Sequence, residues 1–197
     1  LNNNDALLMP TLYVAGAFWL LAIVMVLSFP ASIACWGGRL GKLLIGLVII
    51  VPAGLGLQVL KTLPQGNPLI LSLMLLVWGA DIGAYFFGRA LGKRKLAPRV
   101  SPGKSWAGLF GGLLTSVCIA AGLAVYLQVP VSELVLLLLG AVVVVLFSVV
   151  GDLTESMFKR EMGIKDSSQL LPGHGGVLDR IDSLTAAVPI FALLLLL

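Results

Sequence analysis

Leu134-Val-Leu-Leu-Leu-Leu-Gly-Ala-Val-Val-Val-Val-Leu-Phe-Ser-Val-Val-Gly151 runs for eighteen residues without a charge. A helix needs about 20 apolar residues, at roughly 1.5 Å each, to cross the hydrocarbon layer of a bilayer. Every backbone N–H and C=O must be paired inside lipid, so an unbroken apolar run spans as a helix. A barrel strand would alternate polar and apolar residues. Six apolar segments stand out along the chain, near 11–29, 43–60, 68–87, 106–127, 132–151 and 184–197. The first five meet the required length. The sixth is still apolar at Leu197, so further residues are expected beyond it. Of the 197 residues, 59% are apolar and 11% charged, and the mean hydropathy is +1.06. A soluble domain carries about a quarter charged residues, and this chain has too little polar surface to cover a water-soluble globule. That excludes a cytosolic enzyme, a secreted disulfide scaffold and a disordered chain. The fold expected is all-α: one polytopic membrane bundle over residues 1–197, with about six spans. Asn2, Asn3, Asn4 and Asp5 stand where a cleaved signal peptide would be basic, so the first segment is expected to be a retained span.

Charge placement sets the orientation. Twelve of the thirteen Lys and Arg residues fall in three connections, 30–42, 88–105 and 156–183. The connection 61–67 holds only Lys61, and 128–131 holds none. Basic residues concentrate in cytoplasmic loops, so three loops on that side and both ends on the other are expected. The net charge of +4 and the pI near 9.3 then record topology, and no nucleic-acid partner is expected. Cys35 and Cys118 belong to no CxxC or Cys/His cluster, which leaves neither a disulfide framework nor zinc supported. Pro64 and Pro130 mark turns on the outer side. Gly79/Gly83 and Gly108/Gly112 have the GxxxG spacing that lets helices approach closely; ordinary packing within the bundle is the reading favoured for both.

The residues capable of chemistry lie on the basic side. Asp81 sits eight residues before Arg89, about two helical turns into the third span. A carboxylate there is costly unless it faces a polar cavity or a partner. A buried interhelical hydrogen bond is its structural alternative. The stretch GRALGKRKLAPRVSPGKS (88–105) carries six basic residues, suited to a phosphate ligand or anionic lipid heads, or simply to topogenesis. It holds no nucleotide-binding P-loop: Pro98 occupies the first glycine position ahead of Gly103-Lys104-Ser105, and Gly88…Gly92-Lys93 is one residue short. Further on, Asp152 and Ser156 share a helical face at i,i+4, and Asp179 and Asp182 are i,i+3 at the start of the sixth span. Carboxylates converging at one membrane level suit Mg²⁺, whose hard oxygen ligands are completed by water and substrate phosphates. Lys159, Arg160, Lys165 and Arg180 alternate with these acids. Acids and bases together beside a metal fit phosphoryl or nucleotidyl transfer, in which positioning and charge neutralisation dominate. Each residue has a plainer alternative: Asp182 as a helix-terminus charge, Asp166 as a solvated loop charge, His174 as a turn residue between glycines.

The run Ser156-Met-Phe-Lys159-Arg160-x4-Lys165-Asp166, followed by His174-Gly-Gly-Val-Leu-Asp179-Arg180-Ile-Asp182, strongly resembles the motif of the phosphatidate cytidylyltransferases, the CDP-diacylglycerol synthases. Asp81-Ile-Gly-Ala-Tyr85, Gly88-Arg89 and Ser101-Pro-Gly-Lys104-Ser105 resemble the same family, so the likeness covers about residues 78–185. It implies the reaction of CTP with phosphatidate to give CDP-diacylglycerol and pyrophosphate, at the cytoplasmic face of a bacterial inner membrane. It also implies a homodimer among membrane lipids, and further spans ahead of residue 1. The catalytic set expected is Asp152, Ser156, Lys159, Arg160, Lys165, Asp166, His174, Asp179, Arg180 and Asp182. Of these, Asp152, Asp179 and Asp182 would hold Mg²⁺, with a second cation left open. Asp81, Arg89, Ser101, Lys104 and Ser105 are the expected substrate-binding group. Three rivals stand beside this reading: a transporter relaying ions through Asp81, a CTP-dependent polyprenol kinase, and a structural membrane subunit.

Overall fold

The computed structural model describes residues 3–173 and 175–197. In chain order the elements are α1 (Asn3–Leu27), α2 (Ile33–Trp36), α3 (Arg39–Thr62), α4 (Gly66–Leu91), β1 (Lys95–Ala97), β2 (Ser101–Ser105), α5 (Trp106–Tyr126), α6 (Val131–Glu161) and α7 (Leu178–Leu196). Five of the described helices are long and apolar enough to cross a membrane: Leu7–Leu27 of α1, and α3, α4, α5 and α6. The sixth long helix, α7, begins with Asp179, Arg180 and Asp182, and its apolar part follows. The all-helical membrane bundle expected from composition is the fold observed.

α7 is the pillar around which the others pack. Ser183, every residue from Thr185 to Ile190, and Ala192 are all buried; of these, Ala186, Ala187, Val188, Ile190 and Ala192 share one core with α1 (Leu12, Ala15, Trp19, Ala22), Leu60 of α3, α4 (Leu73, Val77) and Val144 of α6. The small side chains of its Ala186-Ala187 segment let several helices come close at once. α3 does so at Gly56, where a Cβ would sit 3.0 Å from Val188 Cγ1. α3 is otherwise peripheral, burying only Pro52, Gly56 and Leu60.

α4 and α5 pack against each other through glycine. A Cβ on Gly108 would lie 2.9 Å from the Ala84 carbonyl oxygen, and one on Gly112 only 2.8 Å from that of Ala80. Gly83 is closed in by Thr115, and Gly79 by Ile119. The two GxxxG pairs are therefore spent on one intrachain helix contact. Ser116 Oγ reinforces it, donating at 2.9 Å to the Gly112 carbonyl and within reach of the Leu76 carbonyl across the interface.

The three basic connections meet at one end of the bundle. Met25, Val26 and Phe29 at the end of α1, Trp36 of α2, Ala97 and Val100 of the hairpin, and Leu153 and Met157 of α6 form a common core there. Lys42 at the start of α3 pairs with Glu161 at the end of α6 at 2.8 Å. Arg160 Nε donates to the Val100 carbonyl at 3.1 Å and ties the hairpin to α6.

Element limits differ from those read off the apolar runs. α6 continues to Glu161, past Gly151, and α7 begins at Leu178 and not 184. Residues 95–105, expected as plain loop, form an antiparallel hairpin pairing Lys95 with Ser105 and Ala97 with Ser101.

Candidate active site

Three elements bring the acidic residues together. Asp152 projects from α6, Asp81 from α4, and Asp179 and Asp182 from the first turns of α7. All four line a cavity of about 280 Å³ with Arg180 and Trp78. Asp81 and Asp152 also line a second cavity, of about 630 Å³, between α4, α5 and the hairpin. These two carboxylates are thus the wall between the cavities. Lys104, delivered by β2, stands at that wall and pairs with Asp152 Oδ2 at 2.6 Å. Ser156, one turn on, donates from Oγ to Asp152 Oδ1 at 3.3 Å.

Asp179 has a different environment. Its Oδ1 receives Lys159 Nζ at 2.8 Å. Its Oδ2 accepts from Gly176 N at 2.7 Å, Ser167 N at 2.9 Å and Ser167 Oγ at 2.8 Å. Burial works against its charge, but the Lys159 ammonium and these N–H donors hold its carboxyl well below the usual carboxylate range. The glycines of the motif make this possible. Gly175 has φ of +78°, and a Cβ on it would lie 2.9 Å from Asp179 Oδ2; a Cβ on Gly176 would meet Ser167 Oγ at 2.1 Å. Any side chain at either position would push the loop off the carboxylate.

Lys159 is shared. Besides Asp179 it binds Glu155 Oε2 at 2.7 Å, one turn back on α6. Glu155 is buried near Asp182, and its Oε1 meets no hydrogen-bond partner among the described residues. Glu155 was not among the residues expected from the sequence. Its i,i+4 spacing to Lys159 was the available signal.

Of the expected catalytic residues, Asp152, Asp179, Arg180 and Asp182 line the acidic cavity, and Ser156 and Lys159 reach it through Asp152 and Asp179. Arg160 Nε is bonded to the hairpin at Val100, and the residue lines neither cavity. Lys165 and Asp166 are exposed in the α6–α7 connection and line neither cavity. His174 lies outside the described residues. Of the expected substrate-binding group, Asp81, Arg89, Lys104 and Ser105 line the larger cavity. Arg89 Nη1 donates to Tyr85 Oη at 3.1 Å, and Ser105 Oγ caps α5 by accepting from Gly108 N at 3.1 Å. Ser101 begins β2 and lines neither cavity.

Four hard-oxygen carboxylates on one small cavity, with a buried Glu155 oxygen lacking a donor, form a donor set whose chemistry fits Mg²⁺. Two of them are arranged here as ion pairs, Asp152 with Lys104 and Asp179 with Lys159, and among the described residues no three His, Cys, Asp or Glu side chains converge as a ligand group.

Residues 3–197 match the family described as the Cytidylyltransferase family. The chain belongs to that family. Its relatives include a phosphatidate cytidylyltransferase of Pseudomonas aeruginosa, 60% identical over 184 residues, which are 93% of this chain and 68% of that protein. One from Haemophilus influenzae is 49% identical over 193 residues, 90% of this chain and 65% of the relative. One from Staphylococcus aureus is 42% identical over 137 residues, 69% of this chain and 52% of the relative. The chain thus spans between about half and two thirds of the length of these relatives. Membership of a cytidylyl-transferring family agrees with a site that sets acids and a lysine between two cavities.

Proposed function

We propose that this chain carries the active site of a phosphatidate cytidylyltransferase, making CDP-diacylglycerol and pyrophosphate from CTP and phosphatidate at the cytoplasmic face of a bacterial inner membrane. The observation that carries this reading is the Lys104–Asp152 pair on the wall between an acidic and a largely apolar cavity. The names of the relatives supply the substrates.

In the step proposed, an oxygen of the lipid phosphate attacks the α-phosphorus of CTP. A new P–O bond forms, the bond from α-phosphorus to the bridging oxygen breaks, and that electron pair leaves with pyrophosphate. The nucleophile is already an anion at neutral pH, so no strong general base is needed. The obstacle is repulsion between two polyanions. Lys104 answers it at the wall, where Asp152 fixes its ammonium through a charge-assisted bond and Ser156 orients Asp152. Lys159 pairs with Asp179, which lines the acidic cavity and holds Ser167 and Gly176 of the connection between α6 and α7. Asp152, Asp179 and Asp182 would hold Mg²⁺, which when bound offsets charge on the triphosphate.

The test is incubation of the purified protein with CTP, phosphatidate and Mg²⁺ in mixed micelles, with CDP-diacylglycerol and pyrophosphate both quantified. Equimolar appearance of the two supports the reading. Consumption of CTP with phosphorylated lipid and CDP as products would replace it with a kinase reading.

A further inference from the structure

Lys159 places an ammonium between two helices with little water around it. Its side chain is 16% exposed, and those of its partners, Glu155 on α6 and Asp179 on α7, are 8% and 6% exposed. An ammonium in such a place must keep a carboxylate, since a buried charge deprived of its partner is strongly destabilising. The two acids are unequally engaged. Oδ2 of Asp179 accepts from Ser167 N, Ser167 Oγ and Gly176 N, and Oδ1 accepts from Lys159 Nζ at 2.8 Å and Ser167 N at 3.2 Å. Glu155 uses one oxygen only. Its Oε2 holds Lys159 at 2.7 Å, while the buried Oε1 has no hydrogen-bond partner among the described residues. Folded proteins seldom leave a buried polar atom in that condition. The Asp182 carboxyl close by adds negative charge on the same side.

A divalent cation and the Lys159 ammonium repel each other, so Asp179 cannot serve the first while it fully holds the second. Of the bonds to Asp179, the one from Lys159 can be released without unfolding the loop at Ser167 and Gly176. Building on the proposed reading of Asp179 as a ligand of Mg²⁺, we infer that Glu155 is a positioning residue: it takes over the Lys159 ammonium when Asp179 turns to the cation. Oε2 already holds that ammonium, and the unpartnered Oε1 offers it a second acceptor on the same carboxylate. Glu155 and Lys159 are i,i+4 on one helix, so the hand-over needs only a small movement of the lysine's end. The positive charge stays buried and paired throughout, and Asp179 keeps its loop. Without Glu155 the ammonium has Asp179 alone, and an arriving cation has to displace it. Glu155 therefore acts through Lys159, as an outer partner that sets how readily a ligand is given to the metal.

The test is direct binding of Mn²⁺, which takes the same hard oxygen ligands as Mg²⁺, to the purified protein in detergent, read from the EPR signal of the free ion without CTP or lipid. Glu155→Gln is expected to raise the Kd about tenfold. Glu155→Asp keeps the charge but is one methylene shorter, and is expected to raise it to a similar extent. In a Lys159→Met background, which has no ammonium to hand over, Glu155→Gln is expected to change the Kd by less than about twofold. Hydrogen exchange in residues 162–177 is expected to stay at the wild-type level in Glu155→Gln, because Asp179 keeps its bonds to the loop. An unchanged Kd in Glu155→Gln would overturn the inference. So would a full effect that persists in the Lys159→Met background, which would make Glu155 a ligand or a plain field charge. Wild-type affinity in Glu155→Asp, or faster exchange in 162–177 of Glu155→Gln, would overturn it in favour of charge alone or of a structural role. A wild-type protein that binds no Mn²⁺ would overturn it together with the metal reading of Asp179. One that binds Mn²⁺ yet makes no CDP-diacylglycerol would refute the proposed reaction, while the Kd values still decide the role of Glu155.

Discussion

Asp152 and Asp179 were equivalent metal-ligand candidates in the sequence, but their surroundings differ. Asp152 faces Lys104 at the wall between the cavities, whereas Asp179 is wrapped by the loop it organises. Asp152→Asn should cut turnover by roughly 10²-fold or more while leaving the loop ordered. Asp179→Asn should cut turnover and also raise backbone hydrogen exchange in residues 162–177, since the Lys159 pair and the charge on the Ser167 and Gly176 bonds are lost. Exchange by mass spectrometry beside the activity assay separates the two; equal protection in both variants would contradict the difference. Lys104→Ala should lower activity by about 10- to 100-fold without altering insertion. Reversed insertion with full turnover would make Lys104 a topological residue only. The acids at 152, 179 and 182 were legible in the sequence because charges beside apolar runs are conspicuous. Glu155 was not, because nothing in the sequence shows that α6 buries the face where it lies. Arg160 looked catalytic beside Lys159, yet the neighbouring position points to another side of the helix and holds Val100.

At the scale of elements, the α4–α5 contact supports both walls of the larger cavity. It depends on backbone approach: a Cβ at Gly112 would be 2.8 Å from a carbonyl oxygen that cannot move without its helix. Gly112→Val should destabilise the protein by about 1–3 kcal/mol or more, measured as thermal unfolding in detergent. Gly122→Ala, with nothing within 4 Å of its Cβ, should be neutral or gain up to about 1 kcal/mol. A similar loss in both would show that the close contact is not what matters. The apolar runs located these helices well. The helix ends lie beyond those runs because charge alone does not mark a loop: Glu155 and Lys159 continue α6 as an i,i+4 pair with buried partners. The hairpin escaped notice because Lys95-Leu-Ala97 and Ser101-Pro-Gly-Lys-Ser105 lack the apolar alternation of a strand. Its place comes from Val100 in the core and from Arg160.

For the whole molecule, the joint core of the α1–α3 connection, the hairpin and the end of α6 puts the three basic connections at one end. If that end is cytoplasmic, Lys93→Cys, with Cys35 and Cys118 replaced by Ser, should react with an impermeant maleimide in inside-out vesicles and not in right-side-out ones. The opposite pattern would invert the orientation proposed. The reaction proposed for that end is transfer of the cytidylyl group of CTP to a lipid phosphate. The most direct measurement supplies the purified protein with phosphatidate and CTP labelled at either the α- or the γ-phosphorus, and follows the label into the chloroform-soluble fraction. α-Label is expected in the lipid and γ-label in the released pyrophosphate. Lipid carrying γ-label would contradict it.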